Sequence, residues 1–195
     1  MTSLTIKDNI VLSTDNYRIS QYELDAPMDI TYHIPLDSAD GMYGTGTNFT
    51  EYCSTKQWFH IRDTSGLIYS AKLVDIEDMP EMTQYFGMSG NDFTMPIESE
   101  KVVDLVAVMS EDSKTVTKWV EITITNDVAK FRCQRQDLGW IEKEVPIEYK
   151  GGEVKFMLNP SFAKAILKKT RNFTLVDKFC IFQYGNFKHL IALAG

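Results

Sequence analysis

The stretch Val154–Ala194, VKFMLNPSFAKAILKKTRNFTLVDKFCIFQYGNFKHLIALA, decides the fold. Val154–Leu158 is a short apolar run that reads as a strand. Asn159-Pro160 then supplies a helix start, because proline at the first helical position gives up an N–H that has no intrahelical partner. Ser161–Thr170 has helical spacing, with Phe162, Ala165 and Ile166 on one face and Lys164, Lys168 and Arg171 on another. Phe173–Val176, Phe179–Tyr184 and His189–Leu193 are strands, separated by Asp177-Lys178 and Gly185-Asn186. The unit is a basic-faced helix packed on antiparallel strands, and nothing in it reads as a catalytic motif.

Upstream, the same pattern is spelled once more. Phe93–Ile97 reads as a strand and Glu98–Met109 as a helix, with Val102, Leu105, Val106 and Met109 at i, i+3, i+4 and i+7. Ser110–Thr117 is a polar loop. Trp119–Thr125, Val128–Gln134 and Trp140–Tyr149 are strands. Residues 93–195 therefore read β-α-β-β-β twice over. Asp75–Asn91 is acidic and broken by Pro80, Gly87 and Gly90, which makes it a linker. Before it, Leu4–Leu12 is a strand pair turning at Lys7-Asp8-Asn9, and Ile19–Leu24 and Ile30–Ile34 are further strands. Leu36–Tyr43 opens as a helix, but Gly41, Gly44 and Gly46 discourage more than two turns. Glu51–Arg62 and Leu67–Val74 read as a long hairpin around Asp63–Gly66. Residues 1–74 match the later part of the repeated pattern without its first strand and helix. The fold class is α+β, antiparallel sheets with few helices, in two domains at 1–92 and 93–195.

At 195 residues, with 44% hydrophobic and 24% charged content, the composition is that of a globular protein. No run is long enough to span a membrane, and the N-terminus lacks a signal-peptide pattern, so a cytoplasmic location is expected. Cys53, Cys133 and Cys180 fit no metal spacing and read as buried thiols in a reducing compartment. The net charge of −7 argues against nucleic acid until the chain is divided. Residues 1–92 hold 5 Lys+Arg against 14 Asp+Glu, whereas residues 93–195 hold 15 against 13. A basic stripe on one face of such a chain is still able to meet phosphate. The Asn-Phe-Thr sequons at Asn48 and Asn172 read as chance matches.

In order and spacing, four segments resemble the bacterial DNA sliding clamp, the β subunit of DNA polymerase III. Thr14-Asp15-Asn16-Tyr17-Arg18-Ile19 is similar to that family's Thr-Asp-Gly-His-Arg-Leu. Leu73–Tyr85, with Val74-Asp75 and Met79-Pro80, is similar to its interdomain segment. Val145–Leu158 with Asn159-Pro160 is similar to its Tyr-x-Gly … Phe-Asn passage, and His189–Ala194 to its closing strand. The likeness covers the later part of the middle domain and the whole C-terminal domain. It leaves the N-terminal domain, and the first strand and helix of the middle one, without counterparts.

The resemblance implies a processivity factor whose helices line a hole for duplex DNA, held through sequence-neutral phosphate contacts that permit sliding. Lys101, Lys164, Lys168, Lys169 and Arg171 would face the DNA. It also implies a pocket for polymerase or other clamp-motif peptides, lined by Thr14, Asn16, Tyr17, Arg18, Ile19, Pro80, Gln84, Tyr85, Leu190 and Ala192. A homo-oligomer is expected, with no cofactor, no metal and no membrane partner. Two departures bear on this. Asn16-Tyr17 and Ala192-Leu193 replace Gly-His and Met-Pro. The helix candidate Leu36–Tyr43 carries Asp37 and Asp40 and no Lys or Arg, so it would repel DNA. The alternative is a non-encircling clamp-like module that competes for clamp partners or pairs with a host clamp. An enzyme is disfavoured. His33, His60 and His189 are isolated, and no nucleophile elbow, phosphate loop or dinucleotide fingerprint occurs; GMYGTG at Gly41–Gly46 has the wrong spacing.

Overall fold

Alternation of apolar and polar residues organises the first unit. In this computed structural model, which describes residues 3–28, 31–76, 81–108, 119–135 and 138–194, the chain divides into two compact units, Met1–Thr83 and Gln84–Gly195. The first contains β1 (Ser3–Lys7), β2 (Ile10–Thr14), β3 (Arg18–Glu23), β4 (Tyr32–Pro35), α1 (Leu36–Gly44), β5 (Phe49–Ser54), β6 (Trp58–Asp63) and β7 (Ile68–Lys72). One antiparallel sheet runs β4-β1-β2-β3. The other is the three-stranded β5-β6-β7. Ile6, Tyr32, Ile34, Phe59 and Ala71 form its small core. Each fully buried large side chain contributes roughly 1.5–3 kcal/mol.

Two features of this unit differ from the sequence reading. Glu51–Arg62 is not one strand but two, broken at Thr55–Gln57. The Thr55 hydroxyl accepts from the Gln57 and Trp58 amides, and this local turn wins over continued extension. The helix α1 does form despite its glycines. Gly41 serves packing, since a Cβ there would collide with the Tyr69 hydroxyl. None of the α1 residues is buried.

The second unit contains β8 (Asn91–Thr94), α2 (Ser99–Ala107), β9 (Val120–Thr125), β10 (Val128–Arg135), β11 (Gly139–Pro146), β12 (Val154–Leu158), α3 (Pro160–Leu167), β13 (Asn172–Val176), β14 (Phe179–Tyr184) and β15 (Phe187–Ala192). Its sheets are β15-β14-β13-β8 and β11-β10-β9-β12. The strand–helix–three-strand motif is therefore present twice, as the sequence spells it. Strict alternation on β9 sends Val120, Ile122 and Ile124 inward, each at 1% exposure or less. They meet Val102, Val103 and Val106 of α2 and Ala163, Ile166 and Leu167 of α3 in one continuous core. Asn159 caps α3, its side-chain oxygen accepting from the Ser161 and Phe162 amides. The buried face of α3 is Pro160, Ala163, Ile166 and Leu167; Ala165 is exposed, contrary to the expected face.

Antiparallel sheets with three helices among the described residues make the α+β class. The unit boundary falls nine residues before the expected one, because residues 84–92 go with the strand that opens at Asn91. Cys133 and Cys180 are buried as expected, but Cys53 is exposed, since it sits on the outward side of β5. The expected helix end at Met109, the loop Ser110–Thr117, and Ile30, Met79 and Pro80 lie outside the described residues. Among the described residues no helix is long and apolar enough to cross a membrane.

Candidate functional site

The residues proposed for peptide binding fall into two groups, one in each unit. In the first unit, Thr14 to Ile19 form the β2–β3 turn. The Asp15 carboxylate accepts from the amides of Tyr17 and Arg18 and pairs with the Arg18 guanidinium. Burial alone would raise the Asp15 pKa, but the Arg18 hydrogen bond and charge, with the two amides, outweigh it and hold the carboxyl below its ordinary value. The Thr14 hydroxyl donates to the Arg18 carbonyl at 2.7 Å. Asn16 has φ of +71°, so the position expected from the resemblance to be glycine is held by a residue that tolerates the left-handed region. With its neighbours fixed, Tyr17 projects outward at 50% exposure. Ile19 points into the unit and is buried.

In the second unit, Gln84 and Tyr85 lie on the 3-10 turn Thr83–Gly87. The Tyr85 ring packs on Phe179, centroids 5.7 Å apart. Phe179 is the cross-strand partner of Ala192. Tyr85 and Ala192 are thus gathered around one aromatic that the sequence reading missed, although its place opening a strand after Asp177-Lys178 was a signal. Leu190 is 2% exposed and belongs to the core rather than to a surface.

The proposed basic face takes its shape from two antiparallel helices. Lys164 on α3 is 2.7 Å from the Asp104 carboxylate of α2, and Lys168 is 3.9 Å from Glu100. The hydrogen bond that Lys164 donates to the Asp104 carboxylate raises the lysine's pKa, so it is firmly charged. Glu100 and Asp104 are i, i+4 on α2, a spacing that displays both on one face. That signal was available in the sequence and was passed over. Lys101 and Lys169 are exposed. Arg171 is not on the helix: it precedes β13, and its guanidinium donates to the Met95 carbonyl at 3.0 Å. It borders a groove of about 850 Å³ beside β8 that also takes in Asp92, Thr94 and Tyr149.

No group of three or more His, Cys, Asp and Glu residues with the placement of a metal site occurs among the described residues. His33 bonds the Thr5 hydroxyl at 2.9 Å and His60 the Ser70 hydroxyl at 2.8 Å. Each imidazole serves its sheet. On β11 the carboxylates of Glu142 and Glu144, two residues apart, are both ion-paired to Lys130, at 3.4 and 3.2 Å.

No family model and no curated protein matches the chain. Solved structures do. The DNA polymerase III subunit beta of Pseudomonas aeruginosa superimposes with a TM-score of 0.82 at 15% identity, over 100% of this chain and 58% of its own. The DNA polymerase III beta chain of Streptococcus pneumoniae gives 0.83 at 16%, over 100% and 57%. A sliding clamp from Bartonella birtlesii gives 0.84 at 15%, over 100% and 58%. The chain thus spans a little under three fifths of the length of these structures. At such low identity the agreement concerns the backbone and its topology, not the side chains. Over its whole length the chain has the fold of the bacterial DNA polymerase III beta sliding clamp.

Proposed function

We propose that this chain acts as a sliding-clamp-like processivity factor, holding duplex DNA through sequence-neutral phosphate contacts and receiving partner peptides, a polymerase among them. The observation that carries the reading is that the whole of this chain matches the fold of a little under three fifths of DNA polymerase III beta subunits. In physical terms, a clamp needs no reaction chemistry and no base readout. Exposed cations on rigid helices suit it, because each phosphate contact releases counterions whatever the sequence. Lys101, Lys164, Lys168 and Lys169 are the cations assigned to DNA; Arg171 is left with a smaller part, since it is engaged with Met95. Tyr17, Gln84, Tyr85 and Ala192 are the residues assigned to peptide, with Phe179 added. Copies of the chain assemble into a homo-oligomer that encloses the DNA.

The test is retention on nicked circular duplex compared with the same duplex linearised. Encirclement predicts retention only on the circle. Equal release from both, or a monomer by light scattering at high concentration, refutes it. Binding of a clamp-motif peptide that falls at least about tenfold in Tyr17→Ala, an exposed position whose loss leaves the fold intact, supports the peptide site; unchanged affinity refutes it.

A second reading is a clamp-like module that does not encircle DNA and instead occupies clamp partners or pairs with another clamp. The pairing of Lys164 with Asp104 and of Lys168 with Glu100 favours it, as do the acidic residues Asp37 and Asp40 on α1. Peptide binding without retention on circular DNA would select it.

A further inference from the structure

Alternation on β6 divides its side chains between two faces of the sheet. Phe59, 4% exposed, lies in the core of the first unit, and Ile61 packs against that core. Trp58, His60 and Arg62 therefore stand on the opposite face, along the central strand of β5-β6-β7. Trp58 is 41% exposed. Its ring lies nearly parallel to that of His60, with 17° between the planes and 6.5 Å between the centroids. The row is held in place from both neighbouring strands. His60 Nδ1 is 2.8 Å from the hydroxyl of Ser70, its cross-strand partner on β7. The Arg62 guanidinium donates at 2.8 Å to the carboxylate of Glu51, its cross-strand partner on β5. Three planar groups are thus fixed in line on an open sheet face.

Charge is concentrated at the same place. The acidic stretch of residues 1–92 contains five basic residues, Lys7, Arg18, Lys56, Arg62 and Lys72. Three of the five belong to this sheet: Lys56 in the turn that precedes β6, Arg62 on β6, and Lys72 on β7 directly across from Trp58. Lys56 and Lys72 are exposed and form no ion pair among the described residues. The acids nearby are already engaged. Glu51 is paired with Arg62, and the Asp63 carboxylate accepts from the Ser65 and Leu67 amides of its own turn.

We propose that this face binds single-stranded nucleic acid, with neighbouring bases stacked on Trp58 and His60 and the phosphates met by Lys72 and Lys56. Side chains two apart on a strand are about 6.7 Å from one another. That is about twice the 3.4 Å rise of stacked bases, so a strand whose bases have come apart reaches both rings. The Arg62 guanidinium extends the row by one more planar group. Stacking tolerates any sequence, because every base has a π face. A duplex does not fit, since its bases are stacked on each other and offer the rings only edges and phosphates. An apolar peptide fits poorly, because the rings are interleaved with cations and polar groups rather than joined in an apolar patch. The site uses the face of the sheet and neither of its edges. No residue of α2 or α3 enters it, so it stands whether or not those helices hold duplex.

The test is fluorescence anisotropy of a labelled oligothymidylate with the intact chain, against an abasic strand of the same length and the same number of phosphates. The strand with bases is expected to bind at least about fivefold more tightly, the low end for one stacked base. Trp58→Ala is expected to weaken it by at least about fivefold and Trp58→Phe to restore most of the loss. Lys72→Gln is expected to flatten the dependence of log K on log salt by about 0.7. Equal affinity for the two strands, absence of binding at low salt, or an affinity unmoved by Trp58→Ala overturns the proposal. So does displacement of the oligothymidylate by excess blunt-ended duplex, which would put it on cations that a duplex also uses. The comparison of the two strands is made on the native chain, so it decides the matter even where a variant fails to fold.

Discussion

Neutralising the acidic face of α2 offers a direct measure of the cations on α3. In the native chain Lys164 and Lys168 each share their charge with a carboxylate, at 2.7 and 3.9 Å. The double variant Glu100→Gln/Asp104→Asn keeps the side-chain shapes and frees both lysines for phosphate. Each additional phosphate neutralised steepens the dependence of log K on log salt by about 0.9 on duplex DNA. Two freed lysines therefore steepen the slope by about 1.8, which is an extra loss of roughly twelvefold in affinity between 50 and 200 mM salt. The assay is fluorescence anisotropy of a labelled duplex across a salt series, with the melting temperature followed in parallel. All four side chains are substantially exposed, so the melting temperature stays nearly unchanged. A slope equal to that of the native chain would refute the reasoning, because it would mean that α3 does not face phosphate.

Three further outcomes follow from the local geometry. Asn159→Ala removes the cap of α3 and costs about 1 kcal/mol, lowering the melting temperature of the second unit by about 3–5 °C in a calorimetric scan. Asn16→Ala strains a backbone at φ +71° and costs about 1 kcal/mol, whereas Asn16→Gly is close to neutral; equal denaturant midpoints for the two variants would contradict this. Burial holds the His33 pKa below its ordinary value, with Asp75 opposing it only in part. The unfolded chain thus takes up a proton first as pH falls. The stability of the first unit is then complete above about pH 6.5 and declines as pH falls below it, and His33→Gln flattens that decline in urea titrations at pH 5 and 7.

Much of the second unit was legible because its signals are local and agree with one another. Asn159-Pro160 marks a helix start by stereochemistry, and alternation on Val120–Thr125 marks one buried face. The errors arose where tertiary context overruled a local pattern. Ala165 has the right spacing for the core but lies just outside the arc that α3 presents to α2 and the sheet. Arg171 continues the lysine period only if the helix continues, and it ends at Leu167. Thr55 broke an apparent long strand through its own hydroxyl, a turn that periodicity cannot register. The candidate site was less legible than the fold. Its cations were visible, but their carboxylate partners sit on another element 60 residues away in sequence, as with Asp104 and Lys164. A site of that kind needs the fold before it can be read.

The placement of the three thiols gives the chain a built-in kinetic reporter. Cys53 stands exposed in the first unit, while Cys180 is fully enclosed in the second, where burial drives its pKa far above the ordinary thiol range. A thiolate is the reactive species, so Cys180 is chemically silent until the sheet around it opens. Its alkylation rate under native conditions is then the opening equilibrium multiplied by the rate of a free thiol, a direct readout of the second unit's own unfolding free energy. Cys53 reacts at once and acts as the internal clock. A bound partner that steadies only one unit would slow one label and spare the other.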